Sequence, residues 1–196
     1  LMSGFLLKLL ACLFMLIDHT AVRLLNTGML TYGDSVYGVM RSIGRLAFPI
    51  FGFLMIEGVR YTKNKGWYLF RMGLLALLSE IPFDLATGRQ IGFDHQNVFF
   101  TLSLGLVSVF CIQEAVKRWG KEKDRYLLLA GGAAALCDIA AALLRTDYRY
   151  AGVLMITVMG LRLFIPESLK VRLSERWISV LIAFPAVMIP VLVYGG

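Results

Sequence analysis

Along its length the chain alternates long apolar stretches with short clusters of charge. The stretches run approximately 5–25, 43–60, 67–87, 96–115, 126–144, 150–165 and 177–194. Most approach the roughly 20 residues that carry a helix across a bilayer. The sixth is short, and Pro185 and Pro190 predict a kink in the seventh. The first has no basic leader and is followed at once by others, so it reads as a span rather than a cleaved signal. No repeat, low-complexity tract or long linker interrupts the series. The pattern predicts an all-α fold: one polytopic transmembrane helical bundle of about seven spans, occupying residues 1–196 as a single domain.

Composition strengthens this picture. Hydrophobic residues make up 58% of the chain and charged ones 17%, against about 45–50% and about 25% in soluble proteins. Cys12, Cys111 and Cys137 lie inside apolar runs without metal or disulfide spacing, and packing accounts for them. A net charge of +7 could suggest nucleic acid, but the basic residues sit in short connections, where topology explains them better. Fourteen of the 20 fall on one side: Lys8, Arg60, Lys63, Lys65, Arg71, Lys117, Arg118, Lys121, Lys123, Arg125, Arg162, Lys170, Arg172 and Arg176. Six fall on the other: Arg23, Arg41, Arg45, Arg89, Arg145 and Arg149. The positive-inside rule then predicts a cytoplasmic N-terminus and a multi-pass protein of the lipid bilayer.

Ionisable groups at membrane depth cost at least about 2.5 kcal/mol each, so they face a partner or have a task. With this topology they gather in the outer layer. Asp18 and His19 sit side by side in the first span. Arg41 and Arg45 open the second, one turn apart. Glu80 and Asp84 share a face of the third; Gln96, Asn97 and Thr101 begin the fourth. Asp138 lies in the fifth among small residues, and Asp147 and Tyr148 follow in the next outer loop. Asp18 points about 100° away from His19 round a helix, so adjacency alone does not make it the orienting partner.

Lys8, Cys12, Met15 and His19 follow helical spacing and share a face. Lys8 lies below His19 by about 16 Å. Glu57 and Arg60 lie at the inner end of the second span, past a kink expected at Pro49. A cation at the inner end and a histidine near the outer end predict an interior conduit, with the imidazole facing inward.

A histidine with pKa near 6.5 serves as a general base at neutral pH, and arginines bind carboxylates or stabilise an oxyanion. No GxSxG, HExxH or Walker A motif competes, and His19 and His95 are too few for a histidine-rich metal site. The residues therefore suggest acyl transfer, with Asp18 and His19 at the catalytic centre.

The runs "KLLACLFMLIDH", "RSIGRLAFPIFGFLMIEGVRYTKNKGWYLFR", "ALLSEIPFDL", "QNVFFTLSLGL" and "DYRYAGVL" resemble the TraX family of conjugal-transfer and fimbrial-assembly membrane proteins. The resemblance implies a pilin N-acetyltransferase of the bacterial inner membrane, akin to wider membrane acyltransferases that use acetyl-CoA and a membrane histidine. It places His19 in that role. It implies that Arg41, Arg45, Glu57, Glu80, Asp84, Gln96 and Asn97 matter, without giving each a task. From their positions along the spans, Arg41, Arg45, Glu80, Asp84, Gln96, Asn97, Thr101, Asp147 and Tyr148 are expected on the acceptor side, and Lys8, Glu57 and Arg60 on the acetyl-CoA side. The acceptor would be a pilin N-terminus, a glycan or a small amine. A further helix with an aromatic–proline–histidine motif is expected after "VLVYGG"; its absence implies a truncated or naturally short member.

Two other classes stand beside this one. A small transporter would bind a solute at the midplane cluster; such folds often show inverted halves, which are not visible here. A non-catalytic assembly scaffold would use the polar groups for folding alone.

Overall fold

The computed structural model describes residues 4–87, 92, 94–119 and 123–164. The expected span at 177–194 and the basic residues Lys170, Arg172 and Arg176 lie outside them.

Seven α-helices follow one another among the described residues, with no strand. They are α1 (Gly4–Asn26), α2 (Ser35–Gly44), α3 (Ala47–Tyr61), α4 (Lys65–Thr87), α5 (Val98–Trp119), α6 (Lys123–Leu143) and α7 (Arg149–Gly160). A 3-10 turn, Leu161–Phe164, closes the series. Contacts of Asp18 with Arg41, of Glu80 with Asn97 and of Arg145 with Gln96 bring the C-terminal parts of α1, α4 and α6 to one end of the bundle, with the N-terminal parts of α5 and α7 and with α2. This polar end receives the residues singled out above.

Among the described residues, three segments are long and apolar enough to cross a membrane: Gly4–Asn26, Ser35–Tyr61 (α2 and α3 together) and Val98–Trp119. The apolar part of α6, Leu127–Leu143, is shorter. The expected third span forms as α4, but that helix carries Lys65, Arg71, Glu80 and Asp84. The expected sixth span is α7, whose 12 residues extend only about 18 Å.

The bend in the second span lies at Gly44–Leu46, one turn before the expected position. Pro49 has no N–H to donate to the carbonyl of Arg45, and its ring crowds that carbonyl. The chain accommodates this just upstream, where Leu46 N–H bonds Ile43 O at 3.1 Å, a tightened i to i−3 contact. Pro49 itself sits in the first turn of α3, where proline is tolerated.

The core is formed by α3, α5 and α7. Phe48, Met55, Ile56 and Val59 from α3 meet Leu102, Leu106 and Val109 from α5 and Met155, Ile156 and Met159 from α7. Glycines allow the close approach: a Cβ on Gly105 would lie 2.7 Å from Ile156 side-chain atoms.

Candidate active site at the polar end of the bundle

The face that α1 turns to its neighbours is set by Leu7, Ala11, Phe14, Asp18, Ala21 and Leu25, all buried or half-buried. Their alternating spacing of four and three is that of a helix packed along one seam. The stripe expected to face inward is displaced by one residue: Lys8, Cys12 and His19 are exposed and Met15 is half-buried. Asp18, with a side chain 19% exposed, is the ionisable group α1 brings to the bundle, whereas the His19 side chain is 50% exposed. The inward-facing imidazole is therefore corrected to one at the bundle's edge.

Asp18 has a partner. Arg41 Nη1 donates to Asp18 Oδ2 at 2.5 Å, while His19 Nδ1 stands 4.0 Å from the same oxygen, beyond hydrogen-bonding distance. The carboxylate lies against the backbone of Gly44, where any Cβ would overlap Asp18 Cβ, Cγ and Oδ1. Asp18 Oδ1 is buried and makes no hydrogen bond among the described residues. Arg41 and Arg45, expected to act together, differ in state. Arg41 is held by Asp18, and Arg45 is exposed without an ion pair among the described residues.

The connection between α6 and α7 brings in the next groups. Arg145 and Arg149 both adopt positive φ, 51° and 42°, an uncommon conformation for residues with a side chain. Thr146 between them is fully buried, and Gln96 N–H donates to Arg145 O at 3.3 Å, tying this turn to the start of α5. The tight turn drives Tyr148 into the bundle, where its ring stacks on Phe48 with centroids 3.8 Å apart and planes within 7°. Burial pushes the Tyr148 phenol up; the charges of Asp147 and Asp18 add to that, and those of Arg41 and Arg45 oppose it. Four charged residues from three parts of the chain thus act on one half-buried ring.

Asp147 faces outward and meets a residue not assigned to the site from sequence. His95 Nε2 lies 3.6 Å from Asp147 Oδ1, and its ring lies nearly parallel to Phe83, 6.1 Å between centroids. Its only sequence signal is its place beside Gln96 and Asn97, because its partner comes from a different loop.

Glu80, Asp84 and Asn97 form the wall beside this loop. Asn97 caps α5, its Oδ1 accepting Phe99 N–H at 2.9 Å. Its amide donates to Glu80 Oε2 at 2.6 Å and to Ala76 O at 2.8 Å, and its backbone N–H reaches the same Glu80 oxygen at 3.2 Å. Asp84 Oδ2 accepts Gly92 N–H at 3.0 Å. These groups bond within the protein, yet Glu80 Oε1 and Thr101 Oγ1 are buried without a hydrogen bond among the described residues. Buried polar atoms are rarely left so. Gln96 is also buried. Gly152 seats α7 against this wall: a Cβ there would lie 2.5 Å from Tyr148 Cβ and 2.6 Å from Thr101 Cγ2. Asp138 stays apart in α6, half-buried.

At the opposite, basic end Glu57 is bonded by Arg162, which closes onto it from the 3-10 turn after α7, and lies 3.5 Å from Arg60. Arg162 also covers the Phe53 ring at 4.8 Å. Glu57 is therefore shared by two cations, and Arg162 is the partner the sequence did not reveal. Lys8 is exposed and makes no ion pair among the described residues. Between the two ends, Ile56, Leu106, Val109 and Ile156 are all fully buried and packed together. The expected conduit does not run through this core.

A family model described as TraX protein matches residues 3–195. The chain belongs to the TraX family. A relative named "Probable fimbrial assembly protein FimC, serogroup H1" from Dichelobacter nodosus is 31% identical over 115 residues, covering 55% of this chain and 45% of its own. The chain thus spans about half the length of that curated relative. No solved structure matches. The segments that carry the TraX resemblance supply both residues of the Asp18–Arg41 pair, the Glu80–Asn97 lock and the Asp147–Tyr148 turn, so the family's recognisable blocks converge on the polar end.

Proposed function

We propose that this TraX protein is an acetyltransferase of a bacterial inner membrane, crossing it about seven times with a cytoplasmic N-terminus. Acetyl-CoA would be the donor, and the acceptor an amine or hydroxyl on the extracytoplasmic side. The fimbrial-assembly name of its relative favours a pilin N-terminus over a glycan or small amine. The observation that carries the reading is the convergence of Asp18, Arg41, His19 and Arg45 with the Asp147–Tyr148 turn at one end of an apolar bundle. Such groups are costly at membrane depth unless they are used.

The chemistry follows from their different states. Arg41, held by Asp18, supplies a fixed positive charge, while exposed Arg45 is open to a carboxylate or a developing oxyanion. His19, at the edge of α1, is accessible to a thioester and acts as base or as transient acetyl carrier. With α3, α5 and α7 packed together, the donor's route would run along the outside of α1. Lys8, Cys12, Met15 and His19 share one face of that helix, and Lys8, with Arg60 of α3, would meet the donor's phosphates. The same filled core gives a transported solute no path among the described residues, which weighs against the transporter reading.

Labelled acetyl-CoA incubated with the purified protein and a short peptide bearing a free α-amine tests the proposal. Label should pass to the peptide, and His19→Ala should lower the rate by about 100-fold or more, the usual size of a general-base contribution. Equal transfer by both proteins would remove His19 from the chemistry; no transfer by the wild type would remove the acetyltransferase reading.

A further inference from the structure

His95 lies in the loop between α4 and α5, outside the helices, and the chemistry above does not use it. Its Nε2 faces Asp147 Oδ1 at 3.6 Å, and its ring lies nearly parallel to Phe83. Nδ1 makes no hydrogen bond among the described residues, and the side chain is 25% exposed. At 3.6 Å the contact is electrostatic, longer than a hydrogen bond. A carboxylate facing one nitrogen still favours the tautomer that keeps the proton there and leaves the lone pair on the other. The carboxylate is held in turn by unusual backbone: Asp147 sits between Arg145 and Arg149, both at positive φ, and conformations of this sort concentrate at functional sites. Tyr148, the next residue, is stacked on Phe48 and feels the charges of Asp18, Arg41 and Arg45. Asp147 therefore shares with the Asp18–Arg41 pair one common neighbour, Tyr148, on which the charges of all three act.

We propose that His95, oriented by Asp147, is the general base for the acceptor, so that the two histidines divide the reaction: His19 serves the donor thioester and His95 the incoming amine. This rests on the acetyltransferase reading. The neutral amine attacks the thioester carbonyl carbon and a C–N bond forms. The C–S bond breaks and sulfur leaves with its electron pair. The proton lost by the amine nitrogen passes to His95 Nδ1 and from there to the thiolate, so that an acetyl thioester and an amine become an amide and a thiol. Asp147 touches neither substrate; it is a positioning residue.

The test compares purified full-length wild type, His95→Ala, His95→Gln and Asp147→Asn with labelled acetyl-CoA and a short peptide with a free α-amine, adding imidazole in a parallel series. The expected result is a loss in kcat of about 100-fold or more for both His95 variants, with KM for acetyl-CoA unchanged. Added imidazole should restore part of the rate to His95→Ala, the variant with room for it. Asp147→Asn should fall between wild type and His95→Ala. Rescue is the decisive readout, because a residue that only props the loop is not replaced by a free base. Should His95→Ala fail to fold, the kcat of His95→Gln decides. The proposal is overturned if the folded variants keep activity within a few-fold of wild type, or if His95→Ala loses activity that imidazole does not restore. A wild type that transfers no label would instead overturn the acetyltransferase reading itself, a result these variants cannot mimic.

Discussion

Asp18 and Arg41 meet at 2.5 Å across the contact between α1 and α2. The carboxylate rests on Gly44, one turn further along the helix that supplies the guanidinium. One short helix thus provides both the countercharge and the space for it. At Gly44 the carboxylate lies against backbone while reaching a cation.

Removing one member of this pair should cost more than removing both. The side chains are 19% and 29% exposed, between the fully exposed and fully buried cases. Arg41→Gln should therefore destabilise by about 1–3 kcal/mol, mainly by stranding the Asp18 carboxylate. The double variant Asp18→Asn with Arg41→Gln should recover part of that loss. Thermal unfolding of the four proteins in one detergent gives the cycle; single losses that simply add in the double variant would show that the pair is not coupled.

Gly44→Ala should behave like a lesion at Asp18. The added methyl overlaps the carboxylate, so the side chain must leave its seat and the bond to Arg41 must lengthen. Overpacking of this kind costs about 1–3 kcal/mol. Transfer activity should fall with it, and Asp18→Ala on the Gly44→Ala background should add little further loss in unfolding temperature. Full additivity of the two changes would separate Gly44 from the pair.

Asn97→Ala removes the α5 cap and two hydrogen bonds to neighbouring groups in one step. Cap loss alone costs about 1 kcal/mol, and losing the side-chain bond to the buried Glu80 carboxylate, which keeps the Asn97 backbone N–H, adds about 1.5–3 kcal/mol. The variant should unfold at a clearly lower temperature, and Glu80→Gln, which keeps an acceptor for the Asn97 N–H, should be milder. A wild-type melting temperature in Asn97→Ala would mean that α5 starts equally well without this lock.

Much of this was legible in the residue order. Apolar blocks and charge clusters located α1, α4, α5 and α6 within a few residues, because helix formation and burial follow local periodicity. The gathering of Asp18, Arg41, Glu80, Asn97 and Tyr148 at one end was also readable, since position along a helix follows from counting at about 1.5 Å per residue. Rotation about a helix axis was not readable in the same way. Moving the packed seam of α1 by one residue turns it by about 100°, which exchanges Asp18 for His19 and carries Lys8 out of an expected conduit. The ambiguity is physical: in a helix apolar nearly all round, hydrophobicity marks no preferred face, and the face is chosen by the shape of the neighbour.

The sequence by itself determined that this chain is helical and apolar and that its ionisable groups collect at one end, because those properties depend on each segment's own composition and length. Tertiary structure alone decided that Asp18 takes Arg41, that Glu57 takes Arg162, that His95 meets Asp147 and that Ile56, Leu106, Val109 and Ile156 pack together between α3, α5 and α7. Each of those outcomes joins residues from separate segments, and contacts between separate segments are set by how closely two helices approach, here at Gly44, Gly105 and Gly152, rather than by the order of residues within either one.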